Sequence, residues 1–294
     1  NNVKLIFSKP YLKKDNLLYN QRLGEIEICD YNLRDCINKK NLESKEIELI
    51  LEQDSLDKSS YHIYVGSNKN GYQDGALKRS KSFFDKYKVI KLDNNSQMIA
   101  NEFINFEINR DDKFLKIKQI NSKGRVIIYK SNIDSWYIEM KNLNNKNVEI
   151  DNTNFENLTG CLTIIDSIFK NIEIHTNNLF CEDSVNFIRS SGNIKKIDIN
   201  SSYSDAIDSD FSKIKFEKIF VNTAQNDCLD LSYGSYVVEG AFLDNCEDKS
   251  ISIGEKSNVD IGSVEISNSN FGIVSKDESK TFLEQGSFLN TKVC

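Results

Sequence analysis

Between Asp183 and Asp277 the apolar and polar positions recur at one spacing. The segments opening at Asp183, Asp205, Asp227, Lys249 and Phe271 begin 22 residues apart each time, a period that belongs to stacked repeats. Two residues into each segment the side chain is always apolar: Val185, Ile207, Leu229, Ile251 and Ile273. A column that stays apolar while its flanks vary is what successive turns need where they share a core. A second apolar column, Ile172, Ile194, Phe216 and Val238, runs at the same period. The runs around both columns alternate, are rich in Ile, Val and Phe and lack helical periodicity, so they are expected to be strands. Asn, Asp, Ser and Gly between them supply the corners. The pattern predicts an all-β chain built on a parallel β-helix. Leucine-rich repeats are the rival, and their Leu spacing and Asn ladder are not seen in the sequence.

Upstream the pattern loosens. The runs EIEI (25–28), EIELILE (46–52) and YHIYVG (61–66) fit no 22-residue frame, and 66–82 reads as a long polar loop. Residues 1–95 are therefore expected to form a small all-β N-terminal region, sandwich-like, and residues 96–294 the β-helix. From about Asn101 the close-set apolar runs are expected to be early turns of the stack, with the frame strict only after Thr163. A last turn ending near Cys294 exposes unpaired strand backbone, so further chain or a partner is expected to cover that end.

Charge and composition narrow the functional classes. With 38 basic and 44 acidic residues the net charge is −6, which gives no pull toward a polyanion and disfavours nucleic acid as a partner. No apolar run approaches the ~20 residues of a membrane-spanning helix, and the opening residues NNVKLIFSKPYLKK lack the order of a signal peptide. Cysteines at 29, 36, 161, 181, 228, 246 and 294 make no CxxC pair and are odd in number, which argues against a disulfide scaffold or a zinc site and for small buried thiols. The only histidines, His62 and His175, lie outside the repeat, so triad or His-ligated metal chemistry is not expected.

The candidate chemistry lies in the polar columns of the same frame. One runs Asp183, Asp205, Asp227, Lys249; the next Asn186, Asp208, Asp230, Ser252; beside them stand Asp210 and, further along the chain, Lys276. Turns stack at about 4.8 Å, so Asp205, Asp208, Asp210, Asp227 and Asp230 share one patch. Like charges at that spacing raise each other's pKa, with Lys249 and Lys276 as counter-charges. An unbroken strand would point Asp183, Asp205 and Asp227 into the core beside Val185, at prohibitive cost, so a corner is expected to turn them outward. Asp and Asn also fill corners simply by bonding to nearby backbone; that accounts for the first column better than for Asp208, Asp210 and Asp230, which sit on a strand where Asp is disfavoured.

The strings SDAIDSDFS from Ser204, NDCLDLSYGS from Asn226, DKSISIGE from Asp248 and GIVSKD from Gly272 resemble the SDAxDxDFS, NDxxDxSGS, DKGISxGE and GIxSKD motifs of bacterial β-helix repeat proteins. Through them residues 155–280 are similar to the pectin-lyase-like superfamily, and right-handedness follows from that resemblance and from the general rule for parallel crossovers. A more distant resemblance is to polygalacturonase-type glycoside hydrolases with NTD, DD, GHG and RxK motifs. It implies catalytic roles for Asp205, Asp227, Lys249 and Lys276, with departures at Asn226, Lys249 and Val274. The implied activity is on a polysaccharide laid along the stack: hydrolysis with Asp227 as acid and Asp205 as base or nucleophile, or elimination or epimerisation with Lys249 or Lys276 as base and Ca²⁺ held by Asp208, Asp210 and Asp230. Ca²⁺ is the only cofactor this reading invokes. Asp208, Asp230, Phe211, Tyr233 and Glu255 are expected to contact the sugar, in an extracellular or cell-envelope setting. A non-catalytic glycan-binding or attachment module, or a structural spacer, is the competing class.

Overall fold

The structure, a computed structural model, describes residues 87–143 and 158–294 in full, and elsewhere the backbone of six N-terminal strands. The chain divides into two compact units, Asn1–Asp85 and Lys86–Cys294. In the first, strands β1 (Lys4–Ile6), β2 (Tyr19–Asn20), β3 (Glu25–Asp30) and β4 (Asp35–Lys40) form an antiparallel sheet, and β5 (Tyr61–Ser67) pairs with β6 (Tyr72–Arg79). The expected polar loop at 66–82 is thus largely strand. Residues 68–71 and 80–82 of that segment lie outside the described residues. The expected strand at 46–52 lies outside the described residues.

The second unit is a parallel β-solenoid of about seven turns. It opens with antiparallel strands: β7 (Tyr87–Lys91) pairs with β8 (Gln97–Asn101), and β9 (Ile104–Asn109) with β10 (Phe114–Gln119). The runs after Asn101 read as early turns therefore begin with the hairpin β9–β10, a second hairpin, β7–β8, preceding them, and parallel stacking starts where β10 meets β13 (Tyr137–Asn142) and β11 (Val126–Tyr129) meets β14 (Gly160–Ile165). Val126 stacks on Leu162 and Leu162 on Val185, spacings of 36 and 23 residues, which is why no strict frame is legible upstream.

From there the first sheet continues through β16 (Asp183–Ile188), β18 (Asp205–Asp210), β21 (Leu229–Ser232), β23 (Lys249–Gly254) and β25 (Phe271–Ser275). The second sheet runs from β10 and β13, with the short β12 (Asn132–Asp134), through β15 (Ile168–Asn177), β17 (Ser191–Ile199), the pair β19 (Lys213–Phe216) and β20 (Ile219–Val221), β22 (Ser235–Asp244), β24 (Asn258–Ser267) and β26 (Lys280–Leu289). Single-residue bridges Leu179–Ser202, Ser202–Ala224 and Ala224–Cys246 add a third line of stacking. Among the described residues there is no helix long and apolar enough to cross a membrane.

Both apolar columns stack as the period requires. Val185, Ile207, Leu229 and Ile251 are fully buried and Ile273, at the last turn, partly so. Ile172, Ile194, Phe216 and Val238 are fully buried and continue to Ile261 after 23 residues instead of 22. The extra residue sits in the corner after β23: Glu255 and Lys256 both take positive φ, whereas the preceding corners use one such residue, Phe211 or Tyr233. Serines follow these corners. The Ser131, Ser167 and Ser190 amides donate to the hydroxyls of Ser167, Ser190 and Ser212 one turn on, at 3.1, 3.2 and 3.1 Å. An exposed Asn ladder also exists, Asn222 to Asn200 to Asn177, at the end of the second sheet.

The thiol reading is overturned. Cys161 is bonded to Cys181 and Cys228 to Cys246, with Cα atoms 5.5 and 5.6 Å apart, well inside disulfide reach. At the matching place in other turns Ser184 meets Ser202 and Ser250 meets Ser269, each pair at 2.8 Å, while Ala206 and Ala224 are fully buried. Each turn closes across a point too narrow for large side chains, and two turns close covalently. The odd cysteine count hid this, since Cys294 is free.

Candidate functional site

The corner expected before the apolar column is present. Cys161, Ser184, Ala206, Cys228 and Ser250 are fully buried, and so are the residues that follow them, Leu162, Val185, Ile207, Leu229 and Ile251. Two successive inward residues break strand alternation. That places Asp183, Asp205 and Asp227 on the outer side with Asn186, Asp208 and Asp230. Asn186 Nδ2 demonstrates the shared side, donating to Asp183 Oδ2 at 3.3 Å and to Asp208 Oδ2 at 2.5 Å.

Outward does not mean exposed. Asp183 and Asp227 are each 3% exposed, while Asp205, Asp208, Asp210 and Asp230 are half-buried. Within the first column the carboxylates of Asp205 and Asp227 are committed to the turn above. Asp205 Oδ1 accepts from the Asp227 amide at 2.8 Å and from Asn226 Nδ2 at 2.7 Å. Asp227 Oδ1 accepts from the Lys249 amide at 2.9 Å and from Lys249 Nζ at 3.3 Å, and Lys249 also pairs with Asp248. Asn226, a departure from the polygalacturonase pattern, thus serves as a donor to Asp205. These are corner bonds of the sort that hold backbone together, and they use the carboxylates assigned by resemblance to catalysis.

Burial sets the electrostatics. It pushes Asp205 up to about 6, with the neighbouring charge of Asp227 adding and the amide bonds resisting. Burial and then the charge of Asp227 push Asp230 up to about 6, against the pull of Lys276. Asp183 is raised well above the carboxylate range by burial and by Asp205, and Asp208 by burial, Asp210 and Asp183. Asp227 is raised by burial despite Lys249. For Lys249 partial burial pulls downward, but Asp248 and Asp227 carry it upward, so it is held as a cation and is a poor proton acceptor at neutral pH.

The second column, Thr163, Asn186, Asp208, Asp230 and Ser252, stacks in unbroken register. Asp208 and Asp230 are its two carboxylates, both half-buried. Lys276 is exposed, and its Cε passes 3.3 Å from where a side chain on Gly254 would begin. The glycine leaves room for the lysine stem. Among the described residues, the buried Thr163 Oγ1 and Asn186 Oδ1 have no hydrogen-bond partner; each such group costs about 1–3 kcal/mol.

At the adjoining corner Phe211 and Tyr233 stack with ring centroids 4.7 Å apart at 16°, both half-buried. They are flanked by Arg189, which holds Asp166 through two bonds of 2.7 and 2.8 Å, and by Glu255, which accepts from Ser232 Oγ at 2.5 Å. The rings cover one face of each other.

The structure therefore brings Asp205, Asp227 and Lys249 into one bonded chain, stacks Asp208 on Asp230 with Lys276 acting on the latter, and stacks Phe211 on Tyr233. Among the described residues no three His, Cys, Asp or Glu side chains are gathered as metal ligands. Asp210 is in register with Ser232 instead of Asp230, so Asp208, Asp210 and Asp230 do not form such a set. Sequence reasoning set Asn186 in its column and Asn226 among the departures without giving either a role, and left Thr163 out of the column; their column positions were the available signal. No known protein family, curated protein or solved structure matches the chain.

Proposed function

We propose that the outer face of the first sheet binds and processes a polysaccharide, as pectin-lyase-like β-helices do, with Asp208 and Asp230 as the reacting carboxyls. The observation that carries this reading is the stacked Asp208–Asp230 pair, half-buried, with both carboxyls raised: Asp230 to about 6, and Asp208 well above the ordinary carboxylate range by burial and the charges of Asp210 and Asp183. Two like-charged carboxyls this close do not readily ionise together, so one can hold a proton while the other is ionised, an acid and a base at one pH. Their turns are about 4.8 Å apart, close to the carboxyl spacing of retaining glycosidases. Asp208 holds the proton to be given to the leaving oxygen, Asp230 is the base or nucleophile, and Lys276 favours the ionised form of Asp230. Asp205, Asp227 and Lys249 brace the corner beneath. No step is routed through Ca²⁺. Two disulfides fit an extracellular or cell-envelope setting.

The test is a panel of bacterial and plant polysaccharides followed by product mass and by absorbance of unsaturated products. Asp230→Asn and Asp208→Asn should each lower turnover by about 10²- to 10⁴-fold with folding retained, whereas Asp227→Asn should act mainly on stability. A binding module is the second reading, favoured by the commitment of Asp205 and Asp227 to backbone amides; there the wild type binds a glycan without turnover and Asp230→Asn weakens the affinity. If the protein neither cleaves nor binds any member of the panel, both readings fail.

A further inference from the structure

The second sheet carries a different groove. Asp198, Phe220, Phe242 and Glu265 follow one another in register on consecutive turns. With Asn222 and Asp244 beside them they line a shallow cavity of about 270 Å³. The Phe220 and Phe242 rings are nearly parallel, at 4° with centroids 5.0 Å apart.

One end of this two-ring stack already holds a primary ammonium. Lys196 Nζ lies 5.0 Å from the centre of the Phe220 ring and 2.7 Å from Asp198 Oδ2. The other end repeats the ring and the carboxylate without the cation. Phe242 is 41% exposed, and Glu265, next in register, is exposed. Asp244 adds a second carboxylate, of which Oδ1 is taken by Ser267 and Asn268. Among the described residues no lysine or arginine pairs with Glu265.

We propose that this end of the stack binds the ammonium group of an amino sugar. The cation rests on the open face of Phe242, where ring and charge attract, with Glu265 and Asp244 as counter-charges; Asn222 meets sugar hydroxyls. An oligosaccharide lying along the solenoid axis meets Phe220 with Asn222 on one turn and Phe242 with Asp244 on the next, about 4.8 Å apart. An extended peptide presents same-side side chains about 6.8 Å apart and falls out of step with the turns, which is why a sugar and not a lysine-rich peptide is the ligand. The groove is separate from Asp208 and Asp230 and does not depend on their role.

The experiment is calorimetric and NMR titration of the intact protein with a glucosamine tetramer, its N-acetylated counterpart and tetralysine. Binding of the glucosamine tetramer in the millimolar range or tighter is expected, weakened about two- to fivefold by Phe242→Ala and by Glu265→Gln. N-acetylation should abolish it, and Asp230→Asn should leave it unchanged. Failure to bind, equal binding of the acetylated tetramer or of tetralysine, or insensitivity to both groove substitutions overturns the proposal. So does loss of binding in Asp230→Asn with Phe242→Ala unaffected, which places the ammonium on the other face.

Discussion

Gly234 stands where the serine ladder has Ser212 one turn below and Ser257 one turn above. A β-carbon there would come within 2.3–2.4 Å of the Tyr236 ring. That ring is fully buried, and its hydroxyl lies 2.7 and 2.9 Å from the Ser209 and Ser232 carbonyls. Neighbouring turns pair Ser212 with Ile214 and Ser257 with Val259 at the same two positions. The glycine and the tyrosine therefore form one unit. Gly234→Ala should cost about 1–3 kcal/mol through overpacking, and Tyr236→Val roughly 3 kcal/mol through the cavity and unmet carbonyls. Gly234→Ser with Tyr236→Val restores the pattern of the adjoining turns and should cost less than the sum of the single changes. Urea midpoints measured as a double-mutant cycle check this, and strict additivity would refute the coupling.

Single turns are the elements of this fold, and closing one turn is a local event. The Cys228–Cys246 bond ties residues 18 apart, where two other turns achieve closure with Ser–Ser hydrogen bonds of 2.8 Å. Replacing both cysteines by serine should therefore keep packing and lose chiefly the constraint on the unfolded chain, about 3 kcal/mol for a loop of this size. Chemical denaturation of the double variant against oxidised wild type measures the loss. An unchanged midpoint would mean the bond does not constrain the unfolded chain.

Across the whole solenoid the stacked carboxylates impose a pH dependence opposite to that of most proteins. A carboxyl whose folded pKa is raised favours the folded state when protonated; this stability is complete below the unfolded pKa of about 4 and is lost as pH rises through the folded value. For Asp205 and Asp230 the loss runs from about pH 4 through about 6, on the order of 2 kcal/mol each. Asp183 and Asp208, raised by burial and neighbouring carboxylates, act in the same direction. Asp93 works the other way: hydrogen bonds from Ser96, Asn95 and Trp136 outweigh burial and lower it. Melting temperature should thus rise on acidification from pH 7.5 to 5, and Asp230→Asn should raise stability at pH 7.5 and flatten the profile. A melting temperature that falls steadily over this range would show that the carboxylates are not held as described.

Periodicity alone determined the architecture. Val185 through Ile273 is legible because turns that share a core must repeat the same inward residue, and the repeat shows before any contact is known. The same frame located the acidic columns and the Phe211–Tyr233 stack. Tertiary structure decided what the columns do. Only the stacking shows that Asp205 and Asp227 are bonded to amides one turn away, leaving Asp208 and Asp230 as the less committed pair. It also shows that Cys228 faces Cys246, and that Ile261 joins the second column one residue late. Hydrogen bonds, disulfides and corner insertions depend on which atoms meet across turns, and 22-residue spacing fixes that only where each corner has the same number of residues.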